Sequence, residues 1–203
     1  MKKKIKNKPL KFVAFWSEKG GVGKTTLCFN VAFGLYLAGF RVMVLDIDPQ
    51  GSIVFAASLN EKGVPFAVAK GPLKQRPTKA EFDIVLIDHP SRLIPPMDEV
   101  SLIVMPLQAS ALDLHAFQRS HRALPGGVPT LPVLNGVDIR REEDRQFVAQ
   151  MDTLGAVVVR NRSIFKRQMG QGQSVYTAGF RFAGNEAKSD IEEIVTQIKD
   201  LYL

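Results

Sequence analysis

One cysteine, Cys28, stands in 203 residues. A lone thiol excludes an internal disulfide and a cysteine-rich metal or iron–sulfur site, and it agrees with a reducing, cytoplasmic compartment. Cys28 falls in an apolar helical stretch, where a thiol acts as a small core residue. No window approaches the ~18 uninterrupted apolar residues of a bilayer-spanning helix. The start is basic, but no apolar stretch with a small-residue cleavage site follows it, so a secretory signal is not expected. Acid is missing from one region: residues 1–11 hold six lysines (Lys2, Lys3, Lys4, Lys6, Lys8, Lys11) and no acid, against a net charge of +7 for the chain. Nearly all the excess charge is thus expected in a basic N-terminal arm, residues 1–11, suited either to solubility or to nucleic-acid phosphate contacts. The remainder, 12–203, is expected to form a single domain.

Short apolar runs alternate with longer helical segments. Strands are expected at Phe12–Trp16, Arg41–Ile47, Asp83–Ile87, Ser101–Pro106, Leu131–Gly136 and Ala156–Val159. Most lack polar alternation, as strands buried on both faces of a parallel sheet do. Helices are expected near Lys24–Ala38, Leu112–Arg122, Arg141–Leu154 and Ser189–Tyr202. This order implies an α/β fold: a mostly parallel β-sheet flanked by helices on both faces. Residues 60–80 and 124–132, rich in glycine and proline, read as surface connections.

The first strand runs into Ser17-Glu18-Lys19-Gly20-Gly21-Val22-Gly23-Lys24-Thr25-Thr26 and then a helix. Glycines let backbone N–H groups turn toward phosphate oxygens, and the helix adds its positive N-terminal end. Lys24 is placed to reach the β- and γ-phosphates and the Thr25 hydroxyl to ligate Mg²⁺. Gly20, Gly21, Val22, Gly23, Lys24, Thr25 and Thr26 are the expected nucleotide-binding residues of a P-loop NTPase fold. A later apolar strand delivers Asp88, an acid suited to holding Mg²⁺ through water.

The usual P-loop has a glycine where Glu18 stands, and Lys19 precedes paired glycines. This arrangement resembles the deviant Walker A loop of the ParA/MinD family of ATPases, closest to its small partition type. Asp46-Ile47-Asp48-Pro49-Gln50 is similar to the family's second acidic motif, and Pro106 through Asp113 to its Pro-x-x-x-Ser-x-x-Asp segment. The resemblance implies a catalytic set of Lys19, Lys24 and Asp48. In it Lys19 crosses a homodimer interface to the partner's nucleotide, and Asp48 orients the attacking water. It also implies a metal site of Thr25, Asp46 and Asp88, ATP/ADP and Mg²⁺ as cofactors, and base contacts from Asn135, Arg160 and Asn161. The family usually has a small residue where His89 stands, so His89 is given a structural or switch role.

Members of that family differ in output. Ile191, Ile194, Val195, Ile198 and Leu201 form an apolar stripe with an acidic opposite face. Acid repels anionic lipid, so this end reads as a packed helix and not a membrane anchor. Arg140, Arg141, Arg145, Arg162, Lys166 and Arg167 form a candidate surface for non-specific DNA. The expectation is a cytoplasmic, nucleoid-associated ATPase that segregates DNA or positions another cargo with a ParB-like adaptor. The alternatives are a small-molecule P-loop synthetase and a MinD-like positioning ATPase.

Overall fold

Successive residues of one strand enter different cores. Val13 and Phe15 belong to one buried cluster, Phe12, Ala14 and Trp16 to a second; Ile84 and Leu86 separate likewise from Val85 and Ile87. Side chains alternate across a strand, so these strands are covered on both faces. The computed structural model describes residues 9–71, 75–91, 99–124, 127–177 and 183–202. Seven strands, β1 (Lys11–Phe15), β2 (Val42–Asp46), β3 (Ala67–Lys70), β4 (Ile84–Asp88), β5 (Leu102–Leu107), β6 (Thr130–Val137) and β7 (Val157–Arg160), form one sheet of order β3-β2-β4-β1-β5-β6-β7. Every pairing is parallel.

The described helices are α1 (Lys24–Leu37), α2 (Ser52–Ser58), α3 (Ala111–Ala123), α4 (Glu142–Asp152), α5 (Ser163–Met169) and α6 (Ala183–Asp200). Leu27, Ile53, Ile164 and Ile191 place α1, α2, α5 and α6 on one face, and Phe117 and Met151 place α3 and α4 on the other. Ile191, Ile194, Val195 and Ile198 are fully buried, so the stripe of the last helix is consumed by the core.

The expected α/β architecture holds, with three corrections. The glycine- and proline-rich segment 60–80 contains the edge strand β3. Two helices of seven residues, α2 and α5, were not expected. Lys11, assigned to the basic arm, opens β1 and pairs with Ile84; residues 1–8 of the arm lie outside the described residues. The topology also fixes where chemistry can occur. β1 lies between β4 and β5, and the chain leaves it to build first one half of the sheet and then the other. Ligands in open parallel sheets bind beyond the carboxyl ends of the strands at such a reversal.

Candidate functional site

The loop after β1 ends at Gly23, whose φ of +98° is in the left-handed region. A Cβ there would lie 2.2 Å from Asn135 Nδ2, so glycine is required by conformation and by space. Asn135, at the end of β6, donates from that nitrogen to the Val22 carbonyl at 2.7 Å. The amide expected to meet a nucleotide base therefore holds the loop. The first turn of α1 has no side-chain cap and no acid. Its free N–H groups and positive end are left for an anion.

Lys24 is buried and donates to Ser91 Oγ at 2.6 Å and to the Lys19 carbonyl at 3.3 Å. Burial lowers its pKa, while Asp88 and Asp48 act in the opposite direction. Ser91, three residues after Asp88, was not identified from the sequence. No motif marks it; it is found only because the Lys24 ammonium reaches it. A cavity of about 320 Å³ is lined by Gly20, Gly21, Gly23, Lys24, Thr25, Thr26, Asp48, Gln50 and Ser91. The phosphate residues and Asp48 thus share one space.

Register brings the acids together. Asp46 at the end of β2 is the partner of Asp88 at the end of β4, and Phe15 of β1 is also opposite Asp88. Asp46 Oδ2 accepts from the N–H groups of Ile53 at 2.9 Å and Val54 at 3.2 Å, capping α2 in place of Gly51. Asp46 Oδ1 and both oxygens of Asp88 are buried without a hydrogen-bond partner of full geometry. Burial raises the Asp88 pKa to about 7; Thr25 opposes this, and Asp46 and Asp48 add to it. Three orphaned acid oxygens beside a threonine hydroxyl and an uncapped helix start are what a Mg²⁺–phosphate group would complete. The residues present fit ATP or ADP with Mg²⁺. His89 is buried with Nδ1 3.1 Å from the Pro90 carbonyl, and burial lowers its pKa.

The AAA domain family matches residues 10–76 of this chain. The chain is 28% identical over 202 residues to "Maintenance of carboxysome distribution protein A" of Halothiobacillus neapolitanus, a match covering 89% of this chain and 92% of that one. Its fold is similar to a plasmid partition protein of Borrelia burgdorferi solved with AMPPNP, with a TM-score of 0.67, 15% identity and coverage of 94% and 100%. It is equally similar to the septum site-determining protein MinD of Pyrococcus horikoshii solved with Mg-ADP: TM-score 0.67, 17% identity, coverage 96% and 99%. These likenesses support a P-loop ATPase of the ParA/MinD type.

Lys19, the early lysine of this ParA/MinD-type loop, does not line the phosphate cavity. It pairs with both oxygens of Asp113, at 2.8 and 2.9 Å. Asp113 is buried at the start of α3, where Ser110 caps the helix through the Asp113 N–H and donates its hydroxyl to Asp113 Oδ2 at 2.5 Å. Glu18 also reaches α3, accepting from Arg119 at 2.5 Å and Ser120 Oγ at 2.7 Å.

The remaining expected residues are more dispersed. Arg160 and Asn161 are exposed at the end of β7, with the Arg160 N–H donating to Asp190. Arg140 pairs with Asp138, and Arg145 with Glu142. Arg162 is largely buried between Glu186 and Asp190. Arg141, Lys166 and Arg167 are exposed. Among the described residues no helix is long and apolar enough to cross a membrane.

Proposed function

We propose that this chain is an ATP-driven positioning ATPase that works as a nucleotide-sandwich homodimer on DNA. The observation that carries the proposal is Lys19. It sits on the phosphate loop yet is aimed away from its own phosphate cavity, on Asp113. A cation that does not serve its own nucleotide is available to a partner's, and ATP then acts as the link between two subunits.

Chemistry at the proposed site divides among named groups. Backbone N–H groups from Gly20 to Gly23 and the start of α1 bind and orient the phosphates. Lys24 leaves Ser91 for the β- and γ-oxygens. Thr25, Asp88 and the free oxygen of Asp46 would hold Mg²⁺, which would neutralise charge on the phosphates. Asp48 orients the attacking water. Hydrolysis removes the γ-phosphate that both subunits share and so dissolves the dimer. In this reading turnover is slow alone and is stimulated by an adaptor of the ParB kind; the protein is cytoplasmic and nucleoid-associated. Arg140, Arg141, Arg145, Lys166, Arg167 and the N-terminal lysines supply phosphate contacts to DNA, with Arg162 held back by its two acids.

Plasmid or chromosomal DNA is one cargo. A protein assembly is the second, favoured by the carboxysome-distribution relative that matches almost end to end. A small-molecule synthetase is less well supported. A larger cavity, about 760 Å³, is lined by Tyr36 and Leu37 at the far end of α1, roughly 18 Å from Lys24 at 1.5 Å per helical residue. It cannot present a co-substrate to the γ-phosphate.

The test is binding to arbitrary duplex DNA with ATP, ADP or no nucleotide at several salt concentrations. Retention only with ATP, falling steeply with salt, is the expected result. Salt-insensitive binding, or none with ATP, would remove the DNA-based reading.

A further inference from the structure

The turn that carries Asp48 is held from outside by a residue with no part in any phosphate-binding motif. Within the turn, the Gln50 N–H donates to Asp48 Oδ1 at 3.0 Å and the Gly51 N–H to the Asp48 carbonyl at 2.9 Å. Those bonds fix the shape of the turn but not its position over the phosphate cavity. Lys70, the last residue of the edge strand β3, is the register partner of Asp46. Its ammonium donates to the Pro49 carbonyl at 2.9 Å. Among the described hydrogen bonds this is the only one reaching residues 48–50 from another part of the chain.

Two further contacts make the reach specific. Gly51 has φ +63°, and a Cβ there would lie 2.4 Å from Lys70 Nζ and 3.5 Å from its Cδ and Cε. The lysine stem therefore crosses the bare Gly51 Cα, and any larger residue would push it off. The next residue, Gly71, donates its N–H to the Asp46 carbonyl at 2.9 Å, which locks the end of β3 to the end of β2. Lys70 is thus anchored at its backbone and extended at its tip across the turn that leads from Asp46 to α2.

We propose that Lys70 is a positioning residue for hydrolysis, which clamps the Asp48–Gly51 turn through the Pro49 carbonyl and so sets where Asp48 stands against the γ-phosphate. The proposal rests on the reading of Asp48 as the group that orients the attacking water. A water-orienting carboxylate must be held to a fraction of an ångström, whereas phosphate binding is distributed over the loop, Lys24 and Thr25. Releasing the turn therefore lowers turnover far more than affinity.

Lys70→Met keeps the apolar stem and removes the donor; Lys70→Arg keeps a donor. For each, affinity for a fluorescent ATP analogue, single-turnover hydrolysis, and amide hydrogen exchange of the nucleotide-free protein are measured. Lys70→Met is expected to lower the hydrolysis rate by about 10- to 100-fold with affinity within about threefold of the parent. It is also expected to speed exchange at Gln50 and Gly51 while leaving β2 and β4 protected. Lys70→Arg is expected to restore most of the rate and the protection. Asp48→Asn tests the underlying reading separately. If that variant hydrolyses ATP like the parent, the role of Asp48 is wrong. If it is inactive but Lys70→Met matches the parent in rate and exchange, the clamp is wrong. Equal loss of affinity and rate in Lys70→Met would also overturn the clamp, because it would put Lys70 in nucleotide binding or folding.

Discussion

Replacing Lys19 by alanine should separate nucleotide binding from dimerisation, and the structure sets the size of the separation. Lys19 contributes nothing to the lining of its own phosphate cavity, so ATP affinity of the monomer should change by no more than about threefold, roughly 0.7 kcal/mol. In a sandwich dimer each subunit lends one lysine, so the variant loses two charge-assisted contacts worth about 1.5–3 kcal/mol each. The parent must first break two Lys19–Asp113 pairs. The Lys19 side chain is 46% exposed, so each pair is worth at most about 1 kcal/mol. Taking the full ~1 kcal/mol for each pair, the net loss is about 1–4 kcal/mol, a rise of about 5- to 1000-fold in the dimer dissociation constant. Light scattering across a protein dilution series with a slowly hydrolysed ATP analogue and Mg²⁺ reads it directly. Among the described contacts, the substitution also leaves the buried Asp113 with only Ser110 and the helix start as partners. Lys19→Ala combined with Asp113→Asn removes that stranded charge and should show the same dimer defect. Dimerisation of either variant within about threefold of the parent would refute the trans role of Lys19.

Acid stability should depend on Asp83. Burial pushes its carboxyl up, but bonds from Arg41 and Lys79 outweigh this and bring the pKa from 3.8 to about 2. A depressed carboxyl stabilises the fold above its unfolded pKa and loses that contribution as pH falls through the folded one, here between about pH 4 and 2. Screening around the 45% exposed Arg41 side chain limits this contribution to about 1–2 kcal/mol. Urea unfolding of Asp83→Asn should show a shallower acid limb than the parent, and an unchanged limb would contradict the assignment. Asp46→Ala should cost about 1–3 kcal/mol in the same assay, because it strips the cap from two N–H groups of α2, while Asp46→Asn, which keeps an acceptor, should cost less. Cys28 is fully buried, and burial raises its thiol pKa well above normal. It should react with a thiol reagent only on unfolding, and rapid native labelling would exclude it from the core.

The strands that could be read from the sequence were those buried on both faces. β1, β2, β4, β5, β6 and β7 fall within one or two residues of the apolar runs that announced them. β3 gave no such signal. It is four residues at the sheet edge, only partly buried, between Pro65 and Gly71. The helices α2 and α5 are too short for a 3.6-residue period to emerge, and α2 starts where a carboxylate from another strand caps it. The site divided in the same way. Gly23, Lys24 and Thr25 are contiguous and were legible as a motif. Lys19–Asp113 and Lys70–Pro49 join residues 94 and 21 positions apart. No local pattern encodes them; they follow from the order in which strands enter the sheet.

Glu18 shows how a departure from a motif can be read once the fold is known. An ordinary glycine at that place would leave the start of the loop attached only through the backbone. Here Glu18 binds Arg119 and Ser120, and Lys19 binds Asp113. Positions 113 and 120 are seven residues apart, two turns of α3, and therefore lie on one face of the helix. Two neighbouring loop residues thus attach to two points of the same helix, which fixes the loop in angle as well as in position. The two mounts are not equivalent. Glu18 is tied to one ion pair and one neutral hydroxyl, and neither partner has a role in phosphate binding. Lys19 is tied to a single acid, which in the proposed dimer would compete with phosphate for the same cation. In the proposed dimer, a second nucleotide would therefore detach Lys19 while Glu18 keeps its hold on α3. That asymmetry would let one lysine change partners without disordering the phosphate loop on which Lys24 depends.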